Sequence, residues 1–305
     1  MGDELAAVLA ALEEDLGEPE DEPETLDGGI TNRNVRVRLR GRDCVIRLPG
    51  KDTELLGIDR DTERVASQAA AAVGVGPRVI AHRRDPPCLV TEFIAGRVLD
   101  AEALREPSRI LQAAAALRAV HAGPPLDARF DAFEIVERHR RLTEERGGRL
   151  PDGFAELAAG AAAIRDALGG PEHEPVPCHN DLLPANFIDD GTALRILDWE
   201  YAAMGDRYFD LANLSVNNGF SEADDERLLE AYWGEPCTPR RFAAVRLMRV
   251  MSDFREAMWG TVQAVISELD FDFAGYADEH VARVRSALAD PRVPRWLEEA
   301  RDRAA

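Results

Sequence analysis

The sequence predicts an α+β protein, with a strand-rich N-terminal part followed by a larger, mainly helical part that carries one hairpin. Three observations lead there. Alternation of apolar and polar residues is confined to the first third, where Val35, Val37 and Leu39 interleave with Arg36, Arg38 and Arg40. Helical spacing dominates after residue 96. Within that second part, the apolar run Ala193-Leu194-Arg195-Ile196-Leu197 joins Phe187-Ile188 through Asp189-Asp190-Gly191, a hairpin signature. The boundary is drawn in Glu92-Phe93-Ile94-Ala95-Gly96. This gives a strand-rich part over 1–95 and a larger helical part over 96–305.

In chain order, Leu5, Val8, Leu9, Leu12 and Leu16 place an amphipathic helix over Asp3 to Leu16, followed by an acidic link, Glu18 to Glu24. Gly28-Gly29 permits positive φ and close backbone approach ahead of the first alternating strand. Gly41-Arg42-Asp43 turns that strand into Cys44-Val45-Ile46-Arg47-Leu48. A helix over Asp59 to Val73 carries Glu63. Strands follow at Val79-Ile80-Ala81 and from Cys88 to Ile94. Helices are expected at Ser108–His121 and Phe154–Leu168, with loops at 123–131 and 146–153. Ser221 caps a helix to Trp233, with Asp224 and Asp225 as charge in its first turn. A long helix runs from Pro239 to Leu269, and two more complete the chain.

The chain has 305 residues, enough for two parts with their own cores, and a formal charge of −20. That charge argues against nucleic acid or an anionic membrane surface as a partner. Lys51 is the sole lysine. Cys44, Cys88, Cys178 and Cys237 form no C-x-x-C pair, which suits buried thiols in a reducing cytoplasm. No apolar run is long enough to span a bilayer.

The stretch from Cys178 to Asn213 concentrates the chemistry. Asp181 and Asn186 flank Pro184 in an irregular turn, and Asp198 closes the second strand of the hairpin. The hairpin therefore brings Asn186 and Asp198 to one end. An amide oxygen and a carboxylate there are hard ligands suited to Mg²⁺ carrying phosphates. Asp181 is then the base, which outlines a phosphoryl-transfer site.

His179-Asn180-Asp181-Leu182-Leu183-Pro184-Ala185-Asn186, followed by Asp198-Trp199-Glu200-Tyr201, resembles the catalytic core of the choline/ethanolamine kinase family. That family lies within the aminoglycoside phosphotransferase superfamily. The resemblance implies a two-lobed, protein-kinase-like fold: an N-lobe of antiparallel sheet with one main helix, and a larger helical C-lobe. It implies ATP and Mg²⁺ as cofactors and a small amino alcohol such as choline or ethanolamine as substrate. Asp181 would be the catalytic base, and Asn186 and Asp198 the metal ligands. Gly28-Gly29-Ile30-Thr31-Asn32 resembles the nucleotide-covering loop. Arg47 stands where protein kinases place a phosphate-binding lysine and choline kinases an arginine, with Glu63 as its partner. Glu92 to Ile94 would face adenine.

Met258-Trp259-Gly260-Thr261-Val262-Gln263 resembles the choline kinase segment that walls the choline pocket; Trp259 matches one aromatic and Tyr201 another. Glu200 reads either as a substrate-side charge or as a solvated residue. Two positions depart from the pattern. Glu256 stands near where eukaryotic choline kinases carry a second tryptophan, and Asn217-Asn218 stands where they have Glu-Trp. Loss of choline specificity is the consequence to look for. A phosphotransferase acting on an aminoglycoside, an amino sugar or a homoserine-like metabolite is the alternative, and a non-catalytic nucleotide-binding module is a third reading. The resemblance gives no oligomeric preference between monomer and homodimer. His179 reads as a brace for the catalytic loop, and Asp210 as a buried carboxylate bonding loop amides.

Overall fold

The computed structural model describes residues 2–26, 32–50 and 53–301. The strands are β1 (Glu24–Leu26), β2 (Arg33–Leu39), β3 (Arg42–Leu48), β4 (Val79–Arg84), β5 (Pro87–Glu92), β6 (Arg97–Val98), β7 (Val176–Cys178), β8 (Phe187–Asp189), β9 (Leu194–Ile196) and β10 (Ala203–Gly205). The α-helices are α1 (Asp3–Leu16), α2 (Arg60–Ala72), α3 (Ala101–Leu104), α4 (Pro107–His121), α5 (Ala132–Glu145), α6 (Phe154–Ala167), α7 (Arg207–Asn217), α8 (Glu222–Trp233), α9 (Pro239–Ile266), α10 (Phe273–Leu288) and α11 (Val293–Arg301). They form two compact units, Met1–Leu99 with Ala185–Tyr201, and Asp100–Pro184 with Ala202–Ala305.

In the first unit a five-stranded antiparallel sheet has the order β1-β2-β3-β5-β4. Its register sets Val35 opposite Ile46 and Val37 opposite Cys44, so the apolar positions of neighbouring strands share a face. The helix α1 seals that face: Leu5, Val8, Leu9 and Leu12 share one core with Val35, Val37, Ile46, Leu48 and Val90. Arg36, Arg38 and Arg40 take the more exposed positions. The N-cap of α2 is Asp59, whose carboxylate accepts from the Thr62 amide at 2.7 Å.

The boundary drawn at residue 95 does not anticipate the return of 185–201 to this unit. The cause is a small sheet, β6-β8-β9, in which Arg97 and Val98 pair with Asp189 and Ile188. The Ile196 amide also donates to Val75 O at 3.0 Å. Gly96 permits the close approach, since a Cβ there would lie 2.4 Å from Asp189 O.

The second unit is built around α9, buried along most of its length and packed by α5, α7, α10 and α11. Three of the helices described here were not expected. The four-residue α3 is too short to show a period. In α5 the inward positions Ala132, Ile135, Val136, His139 and Thr143 mix apolar and polar residues. In α7 the polar residues Asp210, Asn213 and Ser215 are all buried. The β7–β10 pair sets Cys178 opposite Ala203 and delivers the chain into the loop bearing Asp181.

Candidate active site

In the first unit, β8 and β9 pair Phe187 with Ile196, and the Leu197 amide donates to Asn186 O at 2.8 Å. The hairpin therefore carries Asn186 and Asp198 at the same end. Asp198 sits at φ 63°, a left-handed conformation uncommon outside glycine.

Its carboxylate receives Arg47 from β3, with Nη1 at 2.6 Å from Asp198 Oδ1 and 2.7 Å from Glu63 Oε1. Arg47 Nε also donates to Asn34 Oδ1 at 3.3 Å. Glu63 is 2% exposed and accepts a second arginine, Arg60, at 2.8 Å. Arg60 extends the network to Glu200 Oε2 at 3.1 Å and to Asn32 Oδ1 at 3.1 Å. The Asn32 amide donates back to Glu200 Oε2 at 2.8 Å. Thus Asn32, Arg47, Glu63, Asp198 and Glu200 form one connected set.

Burial opposes the Arg47 charge, but the carboxylates of Asp198, Glu63 and Glu200 outweigh it and hold the guanidinium well above its ordinary value. Burial pushes the Glu200 carboxyl up and the Asp198 charge adds to that, while Arg47, Arg60 and Asn32 pull it back.

Arg60 was missed by the sequence reading. Its one signal is its place three residues before Glu63 on a helix, which any surface pair would share. Thr31 and the glycines before it lie outside the described residues. At the end of β5, the amides of Glu92 and Phe93 donate to Arg78 O at 2.9 Å and Asp43 O at 3.0 Å, and Ile94 follows half-buried. Tyr201 is the last residue of the returning segment and is also half-buried.

In the second unit, the loop bearing Asp181 is fixed by α7. Asp210 accepts from the amides of His179 at 2.8 Å and Asn180 at 2.7 Å. Asn213 accepts from the Leu182 amide at 2.5 Å and is itself held through Ser252 at 2.9 Å. The Asp181 amide donates to His179 Nδ1 at 3.2 Å, so His179 braces the turn from inside. Asn218, at a departing position, donates to Leu214 O at 2.7 Å and Leu182 O at 3.4 Å, again holding this loop. Behind Asp210, His121 Nε2 lies 3.0 Å from its carboxylate and His121 Nδ1 lies 2.7 Å from the Tyr232 hydroxyl. His121, Cys178 and Asp210 cluster within 4.8 Å, but these hydrogen bonds already account for the imidazole and the carboxylate.

Arg255 of α9 reaches towards Asp181, Nη1 lying 3.9 Å from its Oδ1, and it also bonds the neighbouring Glu256. Glu256 accepts from the Tyr276 hydroxyl at 2.8 Å. One turn along α9, Trp259 lies edge-on to Phe273 and Tyr276, with centroids at 5.7 and 5.6 Å, and Phe271 lies 6.1 Å from Tyr276. Aromatic company for Trp259 thus comes from α10 and the turn before it. Among the described residues, no helix is long and apolar enough to cross a membrane.

Residues 22–248 match the model of the phosphotransferase enzyme family. Ethanolamine kinase 2 of Rattus norvegicus is 30% identical over 281 residues, covering 82% of this chain and 71% of the relative. The crystal structure of a choline/ethanolamine kinase family protein from Mesorhizobium loti aligns with TM-score 0.85 at 32% identity, over 98% of both chains. The choline kinase LicA from Streptococcus pneumoniae shares the fold, with TM-score 0.77 at 22% identity over 94% of this chain and 99% of its own; LicA has also been crystallised with AMP. By its matched residues and its 30% relatives, the chain belongs to the choline/ethanolamine kinase family of small-molecule phosphotransferases.

Proposed function

We propose that this protein transfers the γ-phosphoryl group of ATP to the hydroxyl of a small amino alcohol, ethanolamine or choline. The relatives at about 30% identity carry those names. The observation that carries the chemistry is the Arg47–Glu63–Asp198 set, in which a half-buried guanidinium is held between two carboxylates at 2.7 and 2.6 Å.

Arg47 is the phosphate-binding group: its planar fork is pre-oriented by Glu63 and matches phosphate oxygens bidentately. The oxygens of Asn186 and Asp198 are hard donors at one hairpin end, a set that suits a hard cation such as Mg²⁺. When bound, Mg²⁺ neutralises charge on the transferring phosphate. Asp181 accepts the hydroxyl proton as the alcohol oxygen bonds to phosphorus and the bond to ADP breaks. The loop amides bound by Asp210 and Asn213 keep that carboxylate oriented. Glu92 and Ile94 offer backbone to adenine, with Asn32 over the phosphates. Trp259, Tyr201 and Glu200 are assigned to the amine side, where an aromatic face attracts a cation by about 0.5–2 kcal/mol. Free thiols at Cys44, Cys88, Cys178 and Cys237 fit a reducing compartment, the cytoplasm.

Asp181→Asn tests the assignment. Turnover should fall about 10²–10⁴-fold, the usual worth of a positioned base, while ATP affinity measured by calorimetry stays within about twofold. Unchanged turnover removes Asp181 from the role. A panel of amino alcohols, aminoglycosides and homoserine, read by ADP release, separates the amino-alcohol reading from its alternatives.

A further inference from the structure

We propose that Glu256 selects acceptors whose ammonium group carries at least one N–H bond, so that primary, secondary and tertiary amino alcohols are preferred over quaternary ones. This rests on the amino-alcohol reading above and names the substrate class within it.

Glu256 is on α9, three residues before Trp259 and so on the same helical face, and it is 4% exposed. Both of its oxygens are already oriented. Oε2 accepts from the Tyr276 hydroxyl at 2.8 Å, and Oε1 accepts from Arg255. An ionised carboxylate offers about four lone-pair sites, so a held carboxylate of this kind can still accept from a ligand.

Stability does not explain a buried Arg255–Glu256 pair, because apolar side chains of similar volume would pack there at no loss. Position offers an explanation. One nitrogen of Arg255 bonds Glu256 and lies 3.9 Å from Asp181 Oδ1, so the acid that takes the hydroxyl proton and Glu256 flank the same cation. The oxygen and nitrogen of a two-carbon amino alcohol are separated by roughly 3–4 Å at standard bond lengths. A hydroxyl at Asp181 therefore brings the amine to its carboxylate neighbour. Two carboxylates against one guanidinium leave the cluster net negative, which favours a cation. Trp259 and Tyr276 attract any alkylated ammonium and do not distinguish degrees of methylation. Glu256 does, since a quaternary nitrogen leaves a desolvated acceptor without its donor.

The test is kcat/KM for ethanolamine, its N-methyl and N,N-dimethyl derivatives and choline, with ATP and Mg²⁺, in wild type, Glu256→Gln and Tyr276→Phe. In wild type the first three should agree within about tenfold, and choline should fall about 10- to 100-fold below them, the worth of a hydrogen bond to a charged group. Glu256→Gln should cost the three N–H substrates about tenfold or more through KM, and choline less than about threefold. Tyr276→Phe keeps the ring but releases Glu256, and should move the same ratio by a smaller factor; it carries the test if Glu256→Gln does not fold. Choline used as well as the dimethyl compound by wild type, or an equal loss on all four substrates in the variants, overturns the proposal alone. No turnover of any of the four by wild type overturns the amino-alcohol reading and this inference with it.

Discussion

Arg47 and Glu63 form the enclosed ion pair on which the proposed phosphate binding depends. Glu63 accepts both Arg47 and Arg60 and is almost fully enclosed, so its carboxylate fixes two guanidinium groups at once. Glu63→Gln removes the charge and keeps the shape. We expect it to raise the KM for ATP by about 10- to 100-fold, since hydrogen bonds between charged groups contribute about 1.5–3 kcal/mol; steady-state kinetics at varied ATP reads this directly. His139 makes a different residue-level prediction. It is 1% exposed, and neither ring nitrogen has a hydrogen-bond partner. Burial, then the charges of Arg255 and Arg138, lowers its pKa from 6.5 to about 3. Between those values the unfolded chain binds a proton that the folded chain does not. His139 therefore destabilises the fold progressively as pH falls below 6.5, by about 1.4 kcal/mol per pH unit. His139→Leu should remove that slope, seen as a smaller difference between denaturation midpoints at pH 5 and pH 7. Residue types were legible where a motif fixes them, as with Asp181, Asn186, Asp198 and Arg47. Arg60 and His139 were not, because one looks like any helix-surface arginine and the other owes its state entirely to tertiary burial.

At the scale of elements, Ser221 and Asp224 form the capping box that the sequence announces. Asp225 was read as charge in the first turn of α8 and nothing more. It is instead fully buried, bonded by the Ser215 hydroxyl and by Arg246 and Arg249 at 3.1 and 3.0 Å. It ties α7, α8 and α9 together. Burial pushes its carboxyl up, with Arg249, Ser215 and Arg246 drawing it back. Asp225→Asn should cost about 3–5 kcal/mol in chemical denaturation, because it strands two arginines in a partly enclosed site. A loss below 1 kcal/mol would show the cluster to be solvated. Periodicity found α1, α2, α4, α6 and α9. It failed at α5 and α7, whose inward positions are held by His139, Thr143, Asp210, Asn213 and Ser215. Asp210 and Asn213 are buried because they bond the loop at 179–182, and Ser215 because it bonds Asp225 of α8, reasons that no single segment contains.

At the scale of the whole molecule, the chain divides in a way that its linear order conceals. The segment Ala185–Tyr201 leaves the helical unit to join the strand-rich one, so Asn186 and Asp198 belong with Arg47, while Asp181, a few residues earlier, belongs with α7 and α9. The motif was legible as a sequence pattern, but its division between two units depends on the pairing of β6 with β8, and two-residue strands leave little periodic trace. A nucleotide that binds only the folded chain stabilises it by about 2.7 kcal/mol at one hundred times its dissociation constant. ATP with Mg²⁺ should therefore raise the melting temperature of wild type and Asp181→Asn alike, and the rise should be lost in Arg47→Ala. The most direct measurement of the central claim is formation of a phosphate ester from ethanolamine and ATP, followed by phosphorus NMR in wild type and Asp181→Asn. The account predicts phosphoethanolamine and stoichiometric ADP from wild type, and a rate reduced about 10²–10⁴-fold in the variant with ATP still bound. Equal rates in the two proteins, or ATP binding by wild type without any ester from an amino alcohol, would contradict it.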